Sequence, residues 1–160
     1  MGAEAEKQSE KTVYVYDFAK LDSVPEGQLS GKVTPNNKVS KKSSSFGAAI
    51  TGEAMDVGLI RKAPGSGSKP HTHPNEQFSF VLEGALLYEF EDQDCLVTPG
   101  TVIHIPANVV HSSCATGDGE ALFFVCKDVR GGLAGPPVDG IEDGPRYLPG
   151  YGPNGKLEDE

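Results

Sequence analysis

The feature that most constrains this chain is a series of short apolar runs, each closed by residues that form turns. Between residues 77 and 127, runs such as QFSFVLEG and TVIHIP alternate apolar and polar side chains, which is the period of a β-strand. Turn formers such as Gly84, Gly100 and Asn108 separate these runs. The pattern predicts an all-β domain, a sandwich or a barrel, because short antiparallel strands must cover or close their edges.

Composition supports the same fold class. The chain has 20 glycines and 12 prolines in 160 residues, which argues against a helix bundle. No segment longer than about two turns keeps a helical period. We expect strands in these runs: TVYVYDF (12–18), the run near 46–62, QFSFVLEG (77–84), ALLYEFED (85–92), CLVT (95–98), TVIHIP (101–106) and EALFFVCK (120–127).

The domain organisation follows from where the turn formers and charges collect. Residues 1–11 are polar and predict a disordered N-terminal tail, and residues 12–130 form one β-barrel domain. Residues 131–160 hold eight glycines and five prolines, so they form an irregular C-terminal extension. This extension either wraps across the barrel, since apolar side chains interrupt it, or stays solvated.

Charge and cysteine content limit the partners and the compartment. The net charge of −9 disfavours nucleic acid and anionic membrane surfaces, so a small neutral or weakly charged ligand is the default. Cys95, Cys114 and Cys126 are odd in number and follow no C-x-x-C spacing, so we interpret them as buried small apolar residues. No apolar run is long enough for a signal sequence or a membrane span, which predicts a cytoplasmic protein.

Two histidines mark a candidate metal site. Side chains on an extended segment alternate in direction, so His71 and His73 point the same way, and Gln77 shares their parity. Imidazole nitrogens are common ligands of divalent transition metals, and an amide oxygen is a harder one. If the chain bends at Pro74, Glu76 replaces Gln77 as the ligand.

A second stretch makes the metal site more specific. The run TVIHIP leads into the turn Pro106-Ala-Asn108, which could direct His111 back into the interior that holds the first two histidines. The two stretches together predict one metal centre, which either segment alone would not.

These two stretches resemble the cupin superfamily. The first family motif, G(x)5HxH(x)3–4E(x)6G, is met by Gly65, His71, His73 and Gly84, with Gln77 at the position of the acidic ligand. The second, G(x)5PxG(x)2H(x)3N, is met by Gly100, Pro106 and His111, with Asn108 and Ala115 in place of its second glycine and its asparagine. Asparagine is the residue that best replaces glycine at positive φ.

The resemblance implies a cupin-type double-stranded β-helix, a jelly-roll barrel, with one divalent metal ion (Mn, Fe, Ni or Zn) held by His71, His73, Gln77 and His111. Three-His/Gln sets occur in cupin lyases and isomerases, whereas three-His/Glu or three-His sets are more usual in dioxygenases. We therefore expect a metal-dependent lyase or isomerase acting on a small oxygenated substrate, with an iron-dependent dioxygenase as the alternative. A homodimer, formed by strand pairing or by exchange of the N-terminal run, is also implied by the family.

A non-catalytic cupin that binds a small molecule or a metal is the alternative of a different class. A cavity with only apolar groups around the metal would favour it, and a protonatable side chain near the metal would favour an enzyme. Candidate catalytic residues are His104, Arg61 and Tyr88, with Glu53 as a further strand residue that could enter the barrel. Each could instead lie on the outer face, where Phe78 and Phe80 are expected to pack against a second sheet or a partner subunit.

Overall fold

The structure is a computed structural model, and it describes residues 12–23, 30–38, 43–131 and 134–158. The predicted disordered tail, residues 1–11, lies outside the described residues. Strands make up almost all of the regular structure, and the only helix in the described ranges is the 3₁₀ segment Phe18–Ser23. The all-β prediction is confirmed.

The strands are short, and turns separate them at close intervals, as the alternation predicts. In chain order they are β1 (Lys32–Lys38), β2 (Phe46–Thr51), β3 (Met55–Lys62), β4 (Ser66–Gly67), β5 (Gln77–Glu83), β6 (Leu86–Phe90), β7 (Asp94–Val97), β8 (Val102–Ile105), β9 (His111–Ala115), β10 (Ala121–Asp128), β11 (Arg146–Tyr147), β12 (Tyr151–Gly152) and β13 (Gly155–Lys156).

Two antiparallel sheets form the barrel. One has the strand order β1-β2-β3-β10-β5-β8, and the other has the order β11-β4-β9-β6-β7. Strands β12 and β13 form a separate hairpin. Neighbours in sequence lie in different sheets at several points, so the chain crosses between the sheets, as a jelly roll requires.

The inner faces of the two sheets share one apolar core. Ile60, Val81 and Phe123 come from the first sheet, and Leu86 and Ala115 come from the second. Along β3 and β10 every second side chain is buried, so the strand period carries these residues inward. The core fills one part of the barrel, and polar side chains line the rest.

Three sequence predictions change in the structure. The run 12–18 is not a strand: Val15 is 86% exposed, so no sheet covers its apolar side chains. The segment 111–115 was not predicted and forms β9, which is buried along its whole length. Of the three cysteines only Cys114 is buried, because Cys95 and Cys126 lie at partly exposed strand positions.

The turns use the residues expected of them. Gly84 and Gly100 have φ values of 72° and 86°, a region that L side chains rarely adopt. Asn108 has a φ of 65° and is the only non-glycine residue with positive φ in the described ranges. The turn before His111 therefore depends on this asparagine, as predicted.

The C-terminal extension lies against the barrel. We call residues 134–147 the strap. Its Val138 amide donates to the carbonyl of Pro70 (2.9 Å), and Lys69 forms ion pairs with Asp139 (2.5 Å) and Asp143 (2.9 Å). At its end, β11 pairs with β4. These contacts hold the strap across one mouth of the barrel.

No helix in the described part of the chain is long and apolar enough to span a bilayer.

Candidate metal centre

Three histidines converge at the end of the barrel beneath the strap. His71 and His73 lie between β4 and β5, and His111 begins β9. The backbones of His71 and His111 exchange both hydrogen bonds, with N···O distances of 3.0 and 3.1 Å. One ligand atom from each of the three rings lies within 4.8 Å of the others. The two sequence stretches are thus joined at one centre.

Each of the three rings is oriented by a hydrogen bond to a nearby backbone carbonyl. The Nδ1 of His71, His73 and His111 lies 2.7, 2.9 and 2.9 Å from the backbone carbonyls of Lys69, Asn75 and Val109, respectively. A carbonyl can only accept, so each Nδ1 carries the proton and each Nε2 keeps its lone pair. Imidazole ligands of protein metal sites are commonly fixed this way.

Burial keeps the three rings neutral. It lowers the pKa of His71 to about 4 and the pKa of His111 to about 3, and it lowers the pKa of His73 as well. Neutral imidazole is the form that binds a metal ion. At neutral pH the three lone pairs are therefore available without loss of protons.

A metal ion fits this donor set. His73 is 2% exposed, and its Nε2 is a buried atom with no hydrogen-bond partner among the described residues. A buried polar atom without a partner costs free energy, and a metal ion would satisfy it. Three-histidine sets are typical of divalent transition metals, whose identity the ligands alone do not fix.

Gln77 lies beside the histidines, as the parity argument predicts. It is the first residue of β5, is 6% exposed and lines the same cavity as His71 and His111. Its Nε2 donates to Ser79 Oγ (2.8 Å), so the amide oxygen is the atom that a metal ion would take. We retain Gln77 as the fourth proposed ligand.

Glu76 points the opposite way. Its side chain is 50% exposed, and its Oε1 lies 2.7 Å from His104 Nε2 on the outer face of the sheet. The chain bends at Pro74 and Asn75, yet Gln77 still lines the cavity and Glu76 lies outside it. This placement favours Gln77 over Glu76 as the fourth ligand.

The cavity that His71 and His111 line also holds protonatable side chains. It has a volume of about 90 Å³ and lies between the two sheets under the strap. Tyr88 is 1% exposed, and its hydroxyl is hydrogen-bonded to Ser79 and Ser113. Lys62 is 3% exposed, and its Nζ donates to Ser113 Oγ (2.7 Å) and to the Ser113 carbonyl (2.9 Å).

A second lysine lines the same cavity. Lys127 is 6% exposed and lies directly opposite Asp56 in the β3–β10 register. Burial lowers the pKa of Lys62 and of Lys127 to about 8, so both remain largely protonated at neutral pH. The cavity therefore combines a metal-binding set, a phenol and two ammonium groups.

The comparison with known families agrees with this geometry. The family model described as "Cupin domain" matches residues 58–126, which include all four proposed ligands. The chain carries a cupin domain.

Several solved structures are similar to part of this chain. A mutant of the Bacillus subtilis oxalate decarboxylase matches with a TM-score of 0.51 and 21% identity over 61% of this chain and 28% of that chain. An RmlC-like cupin family protein from Methanocaldococcus jannaschii, with a double-stranded β-helix fold, has a TM-score of 0.49 and 18% identity over 59% of this chain and 86% of that one. A structure of DMSP lyases has a TM-score of 0.46 and 22% identity over 61% of this chain and 46% of that one.

These similarities cover only part of the chains that are compared. The match spans less than half of the oxalate decarboxylase and DMSP lyase chains, and at these identities it concerns the fold. No curated protein matches the chain in sequence.

Two of the three catalytic candidates lie outside the cavity of the cupin domain. Arg61 is on the outer face of β3, where its Nη1 pairs with Glu120 (2.6 Å). His104 is 46% exposed on β8, where its ring stacks on Phe78. Glu53 is exposed in the turn before β3, so it does not enter the barrel either. Only Tyr88 of these residues reaches the interior.

Sequence reasoning missed the two buried lysines of the cavity, Lys62 and Lys127. Lys62 shares its face of β3 with Ile60, but Arg61 shares the other face with Leu59, so both have an apolar neighbour two residues earlier. A charged residue at the end of a strand is more often exposed to solvent than buried. Nothing in the sequence therefore favoured Lys62 over Arg61 as the residue that points inward.

Proposed function

We propose that this cupin domain is a metal-dependent enzyme that acts on a small oxygenated organic molecule by lyase or isomerase chemistry. The observation that supports it is that Tyr88 lines the same cavity as His71 and His111 of the three-histidine cluster. A domain that only stores metal or binds a small molecule needs no buried proton donor beside its ligands. The cavity thus favours the enzyme over the non-catalytic alternative.

The proposed ligands are His71, His73, His111 and Gln77, all uncharged. A divalent ion held by neutral donors keeps its full charge, and it would supply Lewis-acid polarisation of a substrate oxygen. The three carbonyls behind the imidazoles orient the rings and fix their tautomers, so each Nε2 keeps its lone pair for a metal ion.

Tyr88 is the proposed proton donor. Burial raises the pKa of its phenol, so it stays protonated at neutral pH. Hydrogen bonds with Ser79 and Ser113 fix the hydroxyl, and Ser79 also accepts from Gln77. A proton released by Tyr88 to the substrate could be replaced along the Ser113 hydroxyl from the Lys62 ammonium.

An iron-dependent dioxygenase is the second candidate. A three-histidine site also suits iron, and iron with neutral ligands can react with dioxygen. Metal analysis followed by an oxygen-uptake assay on candidate substrates separates the two. A domain that takes up iron and consumes oxygen with substrate would replace the lyase or isomerase proposal.

The ligand assignment is tested by metal content. We expect protein purified without added metal to contain a transition metal, and His71→Ala or His111→Ala to lose it. Gln77→Ala should weaken metal affinity by at least about tenfold, because it removes a direct ligand. The neighbouring substitution Glu76→Ala is the matched control and should leave metal affinity unchanged, since Glu76 points outward.

Calorimetric titration with Mn²⁺ or Zn²⁺ provides the affinities. Full metal retention in His71→Ala or His111→Ala would show that the cluster is not the site. Weaker binding in Glu76→Ala, with no change in Gln77→Ala, would show that the fourth ligand is wrongly assigned while the three histidines stand.

We also propose that the domain forms a homodimer through the outer face of the first sheet. This face exposes large apolar side chains, namely Phe78 (46%), Phe80 (38%), Leu82 (40%) and Val102 (57%). Contiguous apolar patches are typical of protein interfaces. Residues 12–18, which the resemblance offered for exchange between subunits, form no strand here.

A further inference from the structure

Lys62 is a fully buried cation without an acidic partner. The groups that bear on its pKa, apart from burial, are Cys114, Lys127 and Arg146. In the part of the chain that the structure describes, no carboxylate lies within salt-bridge distance of its Nζ. Its hydrogen bonds go to the hydroxyl and the carbonyl of Ser113, both neutral acceptors.

Such an arrangement is costly unless a charge compensates for it. Taking an ammonium group out of water costs several kcal/mol, which hydrogen bonds to neutral oxygens only partly offset. The other cavity lysines are compensated: Lys127 by the opposing Asp56, and Lys69 by Asp139 and Asp143. Lys62 alone among these three faces the cavity without a counter-charge.

The position of this ammonium points to what would supply the charge. Ser113, which holds Nζ, lies two residues beyond His111 on β9, and both side chains line the cavity. Two residues along a strand span roughly 7 Å, so Lys62 and the histidine cluster face the same small space. The acidic side chain on the lining, Glu142, is exposed on the strap at the mouth.

We propose that Lys62 binds the carboxylate of the substrate, and that the substrate is a small carboxylate with a second oxygen next to its carboxyl carbon, such as a 2-hydroxy or 2-oxo acid. The carboxylate accepts the one Nζ hydrogen that Ser113 does not take, and the second oxygen faces the histidines and Gln77. This inference rests on the proposed function, because it places the substrate at the proposed metal site. A carboxylate substrate differs from the neutral or weakly charged ligand that the net charge of the chain predicts.

Lactate and its neutral analogue lactamide separate charge from shape. We would follow both by ¹H–¹⁵N NMR titration of metal-free and Zn²⁺-loaded protein, since Zn²⁺ is diamagnetic. We expect lactate to shift amides near Lys62 and Ser113 and to bind at least tenfold more tightly than lactamide. In Lys62→Met this preference should disappear, with at least a tenfold loss of lactate affinity and no loss of Zn²⁺ affinity.

Arg61→Met is the matched control. It removes one cation from the neighbouring position on the same strand, but from the outer face, where Arg61 pairs with Glu120. We expect it to bind lactate as the wild type does. Lys62→Gln provides a second neutral variant in case Lys62→Met does not fold.

The outcomes distinguish the two proposals. If the protein takes up no Zn²⁺, the proposed function fails, and the lactate comparison is then decided in the metal-free protein. If Zn²⁺ binds but Lys62→Met and Lys62→Gln bind lactate within twofold of the wild type, the role of Lys62 is wrong. Equal binding of lactate and lactamide by the wild type would also overturn it.

Discussion

Burial has different consequences for the histidines and for the lysine Lys62 at this site. It lowers the pKa of each histidine and so prepares a neutral ligand. The same burial raises the free energy of the charged form of Lys62, and no acidic group is among those that bear on its pKa. Each effect is a property of one side chain and its surroundings, and each leads to a measurement on a single variant.

Lys62→Met should stabilise the metal-free protein. The substitution removes a buried charge and keeps an apolar stem of similar length, which we expect to raise the free energy of unfolding at pH 7 by roughly 1 to 3 kcal/mol. The Ser113 carbonyl keeps its hydrogen bond from the Ser68 amide (3.0 Å), so little is left unsatisfied. Urea unfolding of both proteins in the presence of a chelator measures the difference.

The stability difference should also depend on pH. The pKa of Lys62 is about 8 in the folded protein and 10.5 as the ordinary value, so between these pH values the unfolded chain binds more protons. Stability therefore rises with pH across this window in the wild type, and less so in Lys62→Met. A Lys62→Met protein that is less stable than the wild type at pH 7, or that shows the same pH slope, would contradict this account.

Strand parity predicted part of the site and not the rest. It placed His71, His73 and Gln77 on one side and Glu76 on the other, and this division holds although the chain bends at Pro74 and Asn75. Parity could not tell whether Lys62 or Arg61 points inward. Alternation requires only that neighbouring side chains point in opposite directions. That choice depends on which face of β3 the second sheet covers, a tertiary property.

At the scale of elements, the strands with one solvated face were predictable and the fully buried one was not. Strands β5 and β8 alternate between buried and exposed side chains, and the same alternation is visible in their sequences. Strand β9 has the sequence HSSCA and is buried at every position, so it shows no alternation and few of the side chains that favour strands. Strand β4 passes very close to β9, since a Cβ on Gly67 would lie 1.9 Å from the Ser113 carbonyl oxygen.

The strap depends on a similarly close approach at Gly135. A Cβ there would lie 1.8 Å from the Thr72 carbonyl oxygen, so Gly135→Ala must push the strap away from the barrel. We expect faster hydrogen exchange of the Val138 amide, whose bond to Pro70 holds the strap, while core amides such as that of Val125 keep their protection. Exchange followed by NMR measures both.

Gly119→Ala is the control for this substitution. No atom lies within 4 Å of a Cβ at Gly119, and its backbone is not in the left-handed region. Its Val138 exchange rate should equal that of the wild type. If Gly135→Ala also leaves this rate unchanged, the strap is not held at Thr72.

At the scale of the whole molecule, the net charge and the cavity charge have opposite signs. The chain carries −9 overall, yet the buried charges that line its cavity are the ammonium groups of Lys62 and Lys127, with Asp56 behind the second. Overall charge governs long-range attraction, which is why it disfavours nucleic acid. It does not determine the charge of a ligand that binds inside a barrel.

The proposed dimer gives a prediction at this scale. Phe80→Glu should shift the protein to the monomer, because it places a charge in the centre of the exposed apolar face of β5. Leu96→Glu is the control, since Leu96 is 64% exposed on β7 in the other sheet. Light scattering coupled to gel filtration gives the masses. A monomeric wild type, or equal masses for all three proteins, would refute this interface.

The four proposed ligands are divided between the two sheets. Gln77 begins β5 in one sheet, His111 begins β9 in the other, and His71 and His73 lie on the segment that crosses between them. An ion bound by all four would therefore link two layers that are otherwise joined by packing, by loops and by side-chain hydrogen bonds such as that from Lys62 to Ser113. Its binding free energy would add to the free energy of folding. Metal supply in the cell would then set how long each copy of this protein survives proteolysis, as well as whether it is active.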